Sequence, residues 1–266
     1  MMMTLIKGST VAAEGHGHSP IEQFEIRELV PINLFGIDAS LTNSGAYMLV
    51  ALGLIFSFLY FSTGGRSLVP TRLQSISEIL YEFIASTVRE NVGAKGMQFF
   101  PLVFTLFIFV LVLNLLGMIP IPGVTFTVTS HIAVTATLAI LVISIVIVYG
   151  LYTHGIGFFG IFVPSGVPPA LLPLLIPIEI ISFISRPISL SVRLFANMLA
   201  GHIALKIFAG FIGLLLGGGI WALLAPLPLA LTIALTALEV LVAVLQAYVF
   251  AVLTCIYLSD AVHGAH

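Results

Sequence analysis

Charge is scarce in this sequence. Only 8% of its residues are Asp, Glu, Lys or Arg, where a soluble globular chain carries about 25%. With 59% of the residues hydrophobic, a water-facing surface cannot be assembled from it. Between Lys95 and Glu179 there is no Asp, Glu, Lys or Arg, only His131 and His154. That stretch has to lie in lipid or in protein. A net charge of −2 gives no basic field of the kind phosphate binding requires, which excludes nucleic acid as a partner. The single cysteine, Cys255, leaves no intrachain disulfide, redox pair or cysteine-based zinc site, and reads as a buried small apolar residue. There is no GxxxxGK[ST] loop and no GxGxxG opening a helix, so no nucleotide site is expected, and no cofactor is called for.

What the sequence does have is long apolar runs. Residues 1–42 form an extramembranous amino-terminal arm with Lys7, Arg27, four glutamates and Asp38, interrupted by Pro20 and Pro31. His16 and His18 in it read as part of a solvated tail, not a metal site. No charged segment leading into an apolar one opens the chain, so no cleaved leader is expected. Residues 43–266 are the membrane domain. Segments 44–62, 99–118, 130–151, 178–214 and 223–258 are long and apolar enough to cross the ~30 Å hydrocarbon layer, or longer. The turn Pro120-Ile121-Pro122-Gly123 joins the second and third of these into a hairpin. No internal repeat is evident.

Between the first two, residues 70–91 place Leu73, Ile76, Leu80, Phe83, Ile84 and Val88 at helical spacing, with Arg72, Ser75, Glu78, Glu82, Arg89 and Glu90 on the other faces. This is an amphipathic surface helix. Its loop carries Arg66, Arg72, Arg89 and Lys95, the densest basic cluster, which puts it on the cytoplasmic or matrix side and the amino terminus outside. His263 and His266 would then lie inside, near Asp260. From Leu223 to Leu258 a helix reaches ~54 Å, so it must tilt steeply, kink near Pro226 and Pro228, or protrude. The expected fold is an all-α integral membrane protein: about five embedded helices plus one surface helix, the last two long and steeply tilted.

After Lys95 the charged residues are Glu179, Arg186, Arg193, Lys206, Glu239 and Asp260. A charge at the bilayer centre costs ~2.5 to 3.5 kcal/mol on insertion scales, so each needs a reason to be there. Arg193 cannot lose its charge at any accessible pH. From composition alone two readings of it stand: a cation snorkelling or ion-paired for structure, or the centre of a functional site. At about 100° per residue Asn197 lies within ~40° of Arg193, as do Arg186 and Glu179 if Pro187 leaves the helix intact, whereas His202 and Lys206 face ~180° and ~140° away. On the last helix Thr232, Glu239 and Gln246 follow at steps of seven and share a face. Carboxyl and imidazole groups are the side chains suited to passing protons near neutral pH, so Glu239 and His202 are the relay candidates. Buried structural hydrogen bonding is the other reading of Glu239, Gln246, Asn197 and Glu179. Arg186 and Lys206 read as anchors or ion-pair partners. His131 and His154 as haem ligands on neighbouring helices are the weaker alternative to polar packing residues.

The run Arg186-Pro-Ile-Ser-Leu-Ser-Val-Arg193-Leu-Phe-Ala-Asn197-Met-Leu-Ala-Gly-His202 closely resembles the hallmark segment of the ATP synthase a-subunit family. Leu113-Asn114 through Gly117 to Pro120, Pro177-Ile-Glu179 to Ser182, and Glu239 through Gln246 to Tyr248 resemble further family segments in family order. The resemblance implies a non-catalytic proton-channel subunit of the Fo sector in a bacterial inner membrane, or less readily a mitochondrial one. It implies two offset half-channels set against a c-subunit ring, with peripheral stalk b subunits and other synthase subunits as partners beside the lipid bilayer. It also implies that Arg193 faces the rotor carboxylates, that Gln246 stands opposite, and that Asn197, His202, Glu239 and Gln246 serve the half-channel taking protons up during synthesis. Glu179 matches a less decisive polar position. Many bacterial relatives carry an acid where His202 stands and a histidine where Glu239 stands, and an aspartate in place of Gly117, so that aspartate's role does not transfer. A secondary transporter binding solute at Arg193 and Glu239 would bring repeats and interrupted helices in both halves. A haem- or quinone-binding anchor subunit is the third reading.

Overall fold

The computed structural model describes residues 28–30, 33–34, 37–38, 40–64, 70–119, 127–163 and 168–263. Lys7, Arg27, His16, His18, Pro20, Pro31, Arg66, the Pro120-Ile121-Pro122-Gly123 turn and His266 lie outside the described residues. Six α-helices carry the fold: α1 Asn43–Thr63, α2 Arg72–Val92, α3 Phe100–Gly117, α4 Ile132–His154, α5 Leu172–Gly217 and α6 Pro226–His263. Ahead of α1, two short antiparallel ladders pair Glu28–Val30 with Leu41–Thr42 and Asn33–Leu34 with Ile37–Asp38. Five helical stretches among the described residues are long and apolar enough to cross a membrane. The chain is an all-α, multi-pass membrane protein.

Local chemistry accounts for where the helices begin and end. Thr42 and Thr71 cap α1 and α2, each hydroxyl accepting from the backbone N–H three residues on, in Gly45 and Gln74, at 3.3 Å. Gly93 ends α2 at φ +84°, a conformation L side chains rarely adopt, while its N–H donates to the Arg89 carbonyl. α6 starts at Pro226 instead of kinking there: its ring fits a first turn whose N–H groups have no helical acceptor, and Pro228 falls in that same turn. α5 begins at Leu172, ahead of the expected 178, because Pro173 sits in its first turn and Pro177 and Pro187 are carried inside the helix. In a membrane, neighbouring helices satisfy the backbone groups such prolines free. The 46 residues of α5 span ~69 Å, over twice the hydrocarbon thickness.

The core is built around the second half of α6, which packs on α2, α3, α4 and α5. Ala243, Ala247, Ala251 and Cys255 recur every fourth residue and are wholly buried. That small-residue stripe lets α6 approach its neighbours closely where water supplies no hydrophobic drive. Phe107, Val110, Val142, Val146, Leu190, Leu194, Phe250 and Leu258 close around it. The buried Asn114 of α3 donates from Nδ2 to the Ala243 carbonyl at 3.2 Å, tying α3 to α6. α2 contributes mainly its carboxyl-terminal half, Ile84, Ala85, Thr87, Val88 and Val92, while Leu73, Ile76 and Phe83 of the expected apolar face stay exposed. Large side chains such as Phe56, Tyr152 and Leu223 project from the bundle, as lipid-facing residues do.

Candidate functional site

α5 and α6 run antiparallel, and polar side chains join them at three levels. At the first, the Arg186 guanidinium donates to Asp260 Oδ2 while lying over the Phe183 and Tyr257 rings, 5.8 and 5.5 Å from their centroids. At the second, Asn197 Nδ2 donates to Gln246 Oε1 at 3.0 Å. At the third, His202 Nδ1 stands 3.7 Å from Glu239 Oε1. Counted along α5 at about 1.5 Å per residue, the second level lies ~16 Å beyond the first and the third ~8 Å further. Arg193 falls between the first two levels, exposed on the outer surface of α5, and among the described residues no carboxylate pairs with it.

The His202–Glu239 level is the most enclosed. The His202 and Glu239 side chains retain 12% and 6% of their exposure, and neither Glu239 oxygen has a hydrogen-bond partner. Burying a carboxyl without a hydrogen-bond partner is costly, and the nearest group to share that cost is the His202 imidazole. Gly201 makes the approach: a Cβ there would meet the Glu239 side chain, standing 2.9 Å from its Cδ. On its other side His202 Nε2 meets Thr127 Oγ1 at 2.9 Å, and Thr127 Oγ1 lies 3.4 Å from the carbonyl of Gly117 at the end of α3. Gly117 leaves room for this, since a Cβ would stand 2.7 Å from Thr127 Cγ2.

Of the residues singled out in the sequence, the structure thus brings together Asn197 with Gln246 and His202 with Glu239, and leaves Arg193 outward-facing. Glu179 is half-buried. The azimuth count set His202 opposite Arg193, on a separate surface; in the fold Asn197 and His202 both meet α6, because Gly201 draws α6 in against the flank of α5. Thr127, Gly201 and Asp260 went unremarked as contributors. Gly201 beside a histidine was the one signal available, whereas Thr127 sits in a connection without periodicity. His131 precedes α4 and His154 ends it, which puts them ~34 Å apart along one helix, too far to ligate one haem iron. Burial holds the His131 imidazole below its ordinary value. Groups of three or more metal-ligating side chains are absent among the described residues.

Comparison with known proteins points one way. The family model for the ATP synthase A chain matches residues 45–259. An ATP synthase subunit a from Agrobacterium fabrum is 61% identical over 255 residues, covering 94% of this chain and 99% of that one. One from Chelativorans is 60% identical over 248 residues, 93% of this chain and 98% of the other. One from Beijerinckia indica is 58% identical over 255 residues, 96% of this chain and 100% of the other.

Proposed function

The chain belongs to the ATP synthase A chain family, as subunit a of the membrane sector, and on that footing we propose how its α5–α6 hairpin carries protons. The observation that carries the reading is Arg193: an outward-facing cation on an apolar helix, unpaired by any carboxylate among the described residues, with the His202–Glu239 pair toward one end of the hairpin and the Arg186–Asp260 pair toward the other.

A guanidinium stays charged at every accessible pH. Set against a rotor ring, it favours the ionised form of whichever rotor carboxylate passes it, and it repels a proton leaking directly between the two sides. A proton taken up at one end must then bind a rotor carboxyl, travel with the ring, and leave at the other end. Glu239 and His202 form the uptake relay, Asn197 and Gln246 line the way to the rotor, and Glu179 has a lesser polar role. With the basic loop inside, the His202–Glu239 level lies in the outer half of the membrane and the Arg186–Asp260 level in the inner half. A potential of 100 mV supplies about 2.3 kcal/mol per charge, enough to bias each step.

The remainder of the reading follows from family membership and composition. The subunit binds no nucleotide and is not itself catalytic; other ATP synthase subunits are its partners, among them a c-subunit ring and peripheral stalk b subunits. Its membrane is a bacterial inner membrane. The test is Arg193→Ala in vesicles holding the assembled complex. Proton-driven ATP synthesis is expected to vanish while passive proton leak rises. Persisting synthesis would make Arg193 structural and overturn the reading.

A further inference from the structure

We infer that Thr127 is a positioning residue that sets the tautomer of His202, leaving the proton-accepting nitrogen turned toward Glu239. The inference rests on the relay reading of His202 and Glu239. Three partners surround one imidazole in this pocket. Thr127 Oγ1 lies 2.9 Å from Nε2, the Glu239 carboxyl faces Nδ1 at 3.7 Å, and Lys206, one turn further along α5, adds its positive field. Thr127 is itself buried, and its oxygen lies 3.4 Å from the Gly117 carbonyl.

A carbonyl oxygen can only accept, and a hydroxyl has one proton to give. The Gly117 carbonyl belongs to the last turn of α3, where helical acceptors lack intrahelical donors, so it is in want of one. When the Thr127 hydroxyl donates to it, the Thr127 oxygen can only accept from His202. The hydrogen of the neutral ring therefore sits on Nε2, and Nδ1 presents a bare lone pair to Glu239. A protonated Glu239 can then pass its proton to Nδ1: the O–H bond breaks, an N–H bond forms, the carboxyl becomes a carboxylate and the imidazole an imidazolium. The imidazolium still donates from Nε2 to Thr127. This arrangement serves both protonation states of the ring without any side chain turning, whereas a hydroxyl donating to Nε2 would have to rotate each time the ring charged.

Valine matches threonine in shape and lacks the hydroxyl; serine keeps the hydroxyl and loses the methyl group. Proton flux under an imposed pH gradient and potential is measured in vesicles containing the complete complex, at equal content of this chain. Thr127→Val is expected to lose about tenfold in flux, the worth of one hydrogen bond to a charged group, and Thr127→Ser to stay close to the parent. Wild-type flux in the valine variant, or equal losses in valine and serine, would overturn the inference. Thr127→Ala is a second hydroxyl-free variant, and if neither it nor valine assembles, Thr127 is structural and the inference falls. His202→Leu separates the two levels of the argument. Wild-type flux in that variant sinks the relay reading and the inference with it, while loss in His202→Leu beside a fully active Thr127→Val sinks the inference alone.

Discussion

Gly201 on α5 and Glu239 on α6 are in such close register that a single added carbon at 201 would stand 3.1 Å from the Glu239 Cγ and nearer still to its carboxyl. The two long helices are therefore spaced by the absence of a side chain, and the His202–Glu239 distance is set by a residue that takes no part in proton chemistry.

Gly201→Ala should push the carboxyl away from the imidazole. Overpacking of this kind costs about 1–3 kcal/mol, and proton flux through the assembled complex should fall at least about tenfold. Adding Glu239→Asp, one methylene shorter, should recover part of the stability of the complex against heat. An alanine variant with unchanged flux would mean that α6 yields freely at this point.

Glu239→Gln keeps the shape and polarity of the side chain and removes its capacity to give up a proton. Flux should drop by about a hundredfold, within the range positioned acid–base groups supply, while the thermal stability of the complex changes little. Parental flux in this variant would eliminate Glu239 as an essential relay.

Much of this architecture was legible beforehand, for identifiable reasons. Long apolar runs, the first three free of charge, located all five crossings, and the period of Ile84 and Val88 located α2. The start of α5 was missed because Pro173 and Pro177 read as breakers by the rules of water-soluble helices, which lipid relaxes. The partnerships were harder. An azimuth gives the direction of a side chain and not what stands there, so Asp260 as the partner of Arg186, 74 positions away, could not be counted out. Thr127 acquires its place from the end of α3 and from His202 together, and neither contact leaves a pattern in the chain.

The Arg186–Asp260 pair offers a third expectation. Its two side chains remain about a third exposed, 28% and 32%, so in water such a pair would contribute at most ~1 kcal/mol. Among the apolar side chains of α5 and α6, removing one partner strands the other charge. Arg186→Ala and Asp260→Ala should each lower the yield of assembled complex. The exchanged pair, Arg186→Asp with Asp260→Arg, should recover only part of it, because the Phe183 and Tyr257 rings flank the guanidinium where it now sits. Single variants that assemble as well as the parent would show the pair to be dispensable.

Arg193 has a consequence for the life of the chain before it meets anything else. A guanidinium turned outward from an apolar helix costs a few kcal/mol in hydrocarbon. Among the described residues no carboxylate offsets that cost. Water drawn into the bilayer, a lipid phosphate or a foreign carboxylate must do so. A newly inserted copy is thus least comfortable at Arg193, and the same charge that would govern proton traffic under the proposed reading would give the unassembled subunit a reason to be captured by a partner carboxylate.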